Sequence, residues 1–140
     1  MKTHIPAPQA NKAEKPHVLL PLLWVFLSLN YILCDLLSNM ESATLLGLLE
    51  NSAGGFPVTE GFLLFAGITL EIPVLMILLS AVLPFKANRI VNICAAMLMI
   101  VYQLGSFTVG SGVTLHYAFF SAVEILGSAA VIVLAARRER

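Results

Sequence analysis

Four long apolar runs, separated by short polar stretches, set the pattern of this 140-residue chain. They lie at about 18–38, 61–83, 90–109 and 114–136. At about 1.5 Å rise per residue, each is long enough to cross a hydrocarbon layer ~30 Å thick. The pattern predicts an all-α, polytopic membrane protein: an antiparallel bundle of four transmembrane helices forming a single domain over residues 17–137. Residues 1–16, polar and proline-bearing, read as a flexible cytoplasmic tail, and 138–140 as a second cytoplasmic tail. In the long connection after the first run, 43–49 is too short to span and reads as an interfacial helix. Gly54-Gly55-Phe56-Pro57 reads as the turn that launches the second run. Two tight turns, at 84–88 and Gly110-Ser111-Gly112, join the remaining runs.

Composition sharpens this reading. Hydrophobic residues make up 59% of the chain, charged residues 11%, and the mean hydropathy is +0.90, so polar surface is too scarce to cover a soluble globule. Net charge is zero, yet all eight basic residues fall in the two tails or near the turn at 84–88. The long connection carries Glu41, Glu50 and Glu60 and no basic residue. By the positive-inside rule both termini are expected in the cytoplasm and the long connection outside. A cleaved signal peptide is not expected, because the apolar run continues to Leu37 with no small-x-small site behind it. Cys34 and Cys94 fall on different runs at different depths and are expected as free buried thiols.

The second run, GFLLFAGITLEIPVLMILLSAVL, holds one ionisable residue, Glu71, near its centre. A carboxylate at mid-membrane costs roughly 2.5–3.5 kcal/mol on insertion scales, which makes it a candidate functional group. Pro73, two residues on, lacks an N–H and is a candidate hinge. Glu124 lies at similar depth on the fourth run, and Asp35 in the outer half of the first. No Lys or Arg is available to pair with these acids, so they are expected to hold a proton or a guest. Asn30, Tyr31, Tyr102, Gln103, His116 and Tyr117 are the candidate hydrogen-bonding partners. On the fourth run His116, Phe120, Glu124 and Ser128 recur every four residues, and on the first Tyr31 and Asp35 share a face. An anionic substrate is disfavoured in such a site, and a proton, an organic cation or a neutral hydrogen-bond acceptor is favoured. No tight metal-ligand spacing, phosphate loop or nucleic-acid patch is present, so no metal, cofactor or nucleic acid is expected.

Several stretches, NYILCD (30–35), GGFPVTEGFLL (54–64), LEIP (70–73), LPFKANR (83–89) and HYAFFSAVE (116–124), resemble a family of small four-helix bacterial membrane proteins classed as a domain of unknown function. The resemblance implies a bacterial inner-membrane setting and no assigned activity. A looser similarity, at the level of fold, is to the sterol-isomerase and sigma-2-receptor group. The expected function is a carboxylate-lined pocket that binds or transports a small apolar or cationic solute with proton exchange at Glu71 and Glu124. The alternatives are a non-transporting structural or partner-binding membrane protein and an intramembrane enzyme acting on lipid or isoprenoid. The expected partners are the bilayer, a small apolar or cationic ligand, and a second copy of the chain in a homodimer.

Overall fold

Local signals set where each helix begins and ends. The computed structural model describes residues 15–108 and 112–137. Its helices are α1 (Lys15–Asn39), α2 (Ser42–Leu49), α3 (Glu60–Val82), α4 (Phe85–Ser106) and α5 (Leu115–Arg137). A hairpin of two-residue strands, β1 (Ser52–Ala53) and β2 (Phe56–Pro57), precedes α3. The helices α1, α3, α4 and α5 are long and apolar enough to cross a membrane. Residues 1–14 and 138–140 of the expected tails, and 109–111 of the expected second turn, lie outside the described residues. Lys15 and Pro16, expected in the first tail, belong to α1.

The turn at 54–57 is the tip of the hairpin. Gly54 and Gly55 adopt φ of 58° and 87°, the left-handed pair that a two-residue turn between strands requires, and Ala53 pairs with Phe56 across it. Thr59 caps α3 by accepting a hydrogen bond from the Phe62 N–H at 3.2 Å, and Glu60 in the first turn complements the helix dipole. At its far end Leu83 is extended, as a residue before proline tends to be, and α4 starts immediately after Pro84. Sequence reasoning treats 84–88 as a turn; the structure makes it the first turn of a helix. Proline suits such a start, since the N–H it lacks would have had no partner there. Lys86 and Arg89 therefore lie on α4 rather than in a loop.

The four long helices form a ring in which α1 packs against α3 and α5, and α5 packs against α4. The α3–α4 seam closes the ring with far fewer approaches. It is tied at the Leu83-Pro84 link, where the buried Asn88 side chain donates to the Ser80 carbonyl at 2.7 Å. Helices α3 and α5 occupy opposite corners. On the α1–α5 seam the Leu27 side chain packs onto Gly127, where an added Cβ would sit 2.7 Å from Leu27 Cδ2.

Inside and outside are reversed relative to a water-soluble bundle. The inward stripe of α5 is Ser121, Glu124, Ser128, Val131 and Ala135, and that of α3 is Thr69, Pro73, Met76 and Ser80. Large apolar side chains such as Leu22, Leu78, Leu104 and Leu126 face out, each more than half exposed. Lipid tails as the surrounding medium account for this arrangement, because small and polar residues between helices allow close packing and mutual hydrogen bonding. One such set ties three helices: Trp24 Nε1 of α1 donates to Asn92 Oδ1 of α4 at 2.7 Å, and the Asn92 amide donates to the Asn88 carbonyl at 2.8 Å and to the Asn88 side chain. Asn88 then reaches Ser80 of α3. The free Cys34 is buried, as expected; the free Cys94 is exposed on the outer face of α4, contrary to expectation. A cysteine needs no partner, so lipid suits it as well as protein.

Cutting this tie should loosen the bundle. Asn92→Ala and Trp24→Phe are each expected to lower unfolding free energy in mixed micelles, and the double-mutant cycle should return a coupling of about 0.6–1.7 kcal/mol.

Candidate functional site

The position of Glu71 follows from helical arithmetic. The inward face of α3 is fixed by Thr69 and Pro73, and at about 100° per residue Glu71 lies some 160–200° from each. Its side chain is exposed on the outside of the bundle. Because α3 and α5 sit at opposite corners, Glu71 does not share a pocket with Glu124, contrary to the expectation from the sequence. Depth alone brought these two acids together in that reading; rotation about the helix separates them. The helix runs unbroken through Pro73, which is buried, and the Thr69 hydroxyl one turn earlier donates to the Phe65 carbonyl at 2.9 Å.

The acid on the helix that packs against the Glu124 helix is Asp35 of α1. Asp35 lies on the wall of a cavity of about 1030 Å³ at the end of the bundle opposite the Leu83-Pro84 link. There α3 and α4 stand apart, with Phe62 and Phe65 on one side and Val101, Tyr102 and Gly105 on the other. The hairpin and α2 form the roof, contributing Glu41, Thr44 and Phe56. Helix α2 buries none of its own residues, which suits a lid lying at an interface rather than a core element. Tyr117, Ser106 and Thr114 complete the polar part of the wall. Among the described residues, the carboxyl groups lining the cavity are Asp35 and Glu41, and no Lys or Arg lines it.

Of the residues expected at the site, Asp35, Tyr102 and Tyr117 line this cavity. Tyr117 donates to Ser106 and packs edge-on against Phe107 with ring centroids 5.7 Å apart. Gln103 lies behind the wall, its amide donating to Ser121 Oγ at 2.6 Å. His116 forms a clasp between helices, 3.3 Å from Ser38 Oγ of α1 and 3.1 Å from Thr114 Oγ1. Asn30 is occupied by its own helix, donating to the Phe26 carbonyl at 2.9 Å. The lining residues Ser38, Glu41, Thr44, Phe62 and Ser106 were missed; they sit in the long connection or near helix ends, where sequence alone suggests solvated positions.

Glu124 is 1% exposed, and neither of its carboxyl oxygens has a hydrogen-bond partner among the described residues. The Tyr31 hydroxyl and Ser128 Oγ, buried beside it on the α1–α5 seam, are near each other but meet hydrogen-bond geometry with no described residue. Beyond them the axis is filled by Leu27, Met99, Trp24, Met76 and Val131. The arrangement is therefore a blind cavity with one carboxyl on its wall and a second, enclosed, carboxyl behind it.

A buried polar group that the fold satisfies should be expensive to remove, and one that it leaves unsatisfied should not. Gln103→Met, which strips the partner from Ser121, is expected to destabilise the bundle by about 1 kcal/mol or more. Glu124→Met, similar in volume, is expected to leave the unfolding midpoint unchanged or raise it. Thermal or detergent-induced unfolding of the two variants side by side checks the contrast.

Neither a curated protein nor a solved structure matches the chain. Residues 10–140 match the family of unknown function DUF6326, and the chain belongs to that family.

Proposed function

We propose that this chain is a multi-pass protein of the bacterial inner membrane that binds, and exchanges against protons, a small organic cation with apolar substituents. The observation that carries the reading is the cavity of about 1030 Å³ whose charged lining groups, Asp35 and Glu41, are both acidic. A ligand ammonium or similar group would pair with Asp35. Its apolar parts would rest on Phe62, Phe65, Val101 and the ring of Tyr102, an arrangement that also offers cation–π contacts. Four spans of sufficient length and apolarity support a membrane setting. Lys86, Arg89 and Arg137, at the end opposite the cavity, support cytoplasmic termini and an outward-facing mouth. The splayed α3–α4 seam supports entry from the side as well as past the α2 roof.

Glu124 supplies the second half of the reading. Enclosed on the face of α5 that packs against α1, the helix that carries Asp35, it is placed to release a proton when a cation engages the wall carboxylate and to take one up when the cation leaves. The hydrogen bonds of Trp24, Asn88 and Asn92 are taken up within the fold, and a structural role is the reading they favour.

Tetraphenylphosphonium binding to the purified full-length chain tests this directly. Calorimetric titration should show saturable binding, weakened at least tenfold in Asp35→Asn, a loss of about 1.4 kcal/mol. In weakly buffered solution binding should release protons, and Glu124→Gln should change the number released while the fold persists. Equal affinity in the wild type and Asp35→Asn would remove the cation site.

A further inference from the structure

Glu71 is eleven residues from each end of α3. That places it ~16 Å from either membrane face, farther than a glutamate side chain can reach toward water. It is exposed on the bundle's outer surface, and no hydrogen bond within the described residues involves it. Around it Leu64, Gly67, Leu75 and Leu78 lie within about 40° on the same face at 100° per residue. All four are exposed. Gly67 stands one turn before the acid, with open space where a Cβ would project. Helix α3 is also the least enclosed of the four spans: 17% of its apolar window is buried, against 28% to 33% for the others. The one mid-depth carboxyl facing outward thus sits on the least covered helix, next to a notch in its surface.

From this placement we infer that the Glu71 face of α3 packs against the same face of a second copy of the chain, in a two-fold dimer within the membrane. The chemistry of the group selects that partner. A protonated carboxyl carries one donor and one acceptor, so it is complementary to another copy of itself, and two such groups facing each other satisfy all their hydrogen bonds without any charge. A two-fold axis along the membrane normal places Glu71 opposite Glu71 at equal depth. Gly67, one turn away, lets the two backbones approach closely enough for the short side chains to meet. The spanning helices of this chain offer no Lys or Arg at that depth, so a like pair is the complement that the chain itself provides. The cavity and its carboxyls take no part in this contact, so the dimer stands or falls independently of the cation reading.

The test uses the full chain in lipid vesicles with Cys34 and Cys94 replaced by alanine. Single cysteines at Leu64→Cys and Leu75→Cys should give disulfide-linked dimers on mild oxidation, and Leu98→Cys, exposed on α4, should not. Energy transfer between donor- and acceptor-labelled chains should report the association. Glu71→Gln, which keeps a donor and an acceptor, should retain it, and Glu71→Leu should weaken it at least tenfold with the Trp24 fluorescence of the bundle unchanged. Energy transfer no greater than random proximity would overturn the inference, whether Glu71 then meets lipid or a basic helix of another protein. A dimer that survives Glu71→Leu undiminished, or that crosslinks equally through Leu98→Cys, would overturn it as well.

Discussion

The arrangement of this protein depends on one constraint: in hydrocarbon, a polar group has no water to fall back on and must find its partner inside the protein. The helices meet that demand for their own backbones. The side chains meet it across seams, and the way they do so fixes which helix neighbours which. Trp24, Asn92, Asn88 and Ser80 join α1, α4 and α3 near the Leu83-Pro84 link. Gln103, Ser121, Tyr117 and Ser106 join α4 and α5 toward the other end. Ser38 and His116 add a clasp between α1 and α5. Apolar contact alone would specify little here, since a leucine gains about as much from a lipid tail as from another leucine.

Against that economy, the unsatisfied groups stand out. Glu124, Tyr31 and Ser128 are as well buried as the asparagines but have no partners among themselves that meet hydrogen-bond geometry. They lie on the seam where the Leu27 side chain packs onto Gly127, so their enclosure results from tight packing rather than from a gap in it. Asp35 lies one turn further along α1 than Tyr31 and opens into the cavity. The two acids thus differ in surroundings: one faces a roomy chamber, the other is sealed. The proposed linkage of proton exchange to ligand binding would rest on carboxyls held in such unlike surroundings.

The number, length and order of the spanning helices were legible in the sequence because the signal is the length of an apolar run, which survives without any knowledge of packing. So was the short helix at 42–49. Which way each helix turns was less legible. Buried and exposed faces are both apolar on α3, so the periodicity that orients a soluble helix is nearly absent there, and nothing in the sequence marks Glu71 as facing outward. On α5 the recurrence of Ser121, Glu124 and Ser128 did mark the inward face. The cavity wall was only partly legible. Asp35, Tyr102 and Tyr117 stood out as polar residues in apolar runs, whereas Ser38, Thr44 and Ser106 resembled ordinary helix-end residues until α2 and the hairpin folded over them. Asn88 was hidden for a different reason, since a proline four residues earlier made its segment look like a turn.

The Leu83-Pro84 link carries a mechanical consequence. Two extended residues join α3 to α4, and beyond them the helices share only a thin seam that widens into the chamber. With 23 residues in α3, the arm from this pivot to the Thr59 cap is ~34 Å long. A swing of about 5° at the pivot would displace the far tip by ~3 Å, roughly the thickness of a flat aromatic ring. Small torsional adjustments beside one proline would thereby be magnified toward the opposite side of the bilayer, where Phe65 and Val101 line the chamber.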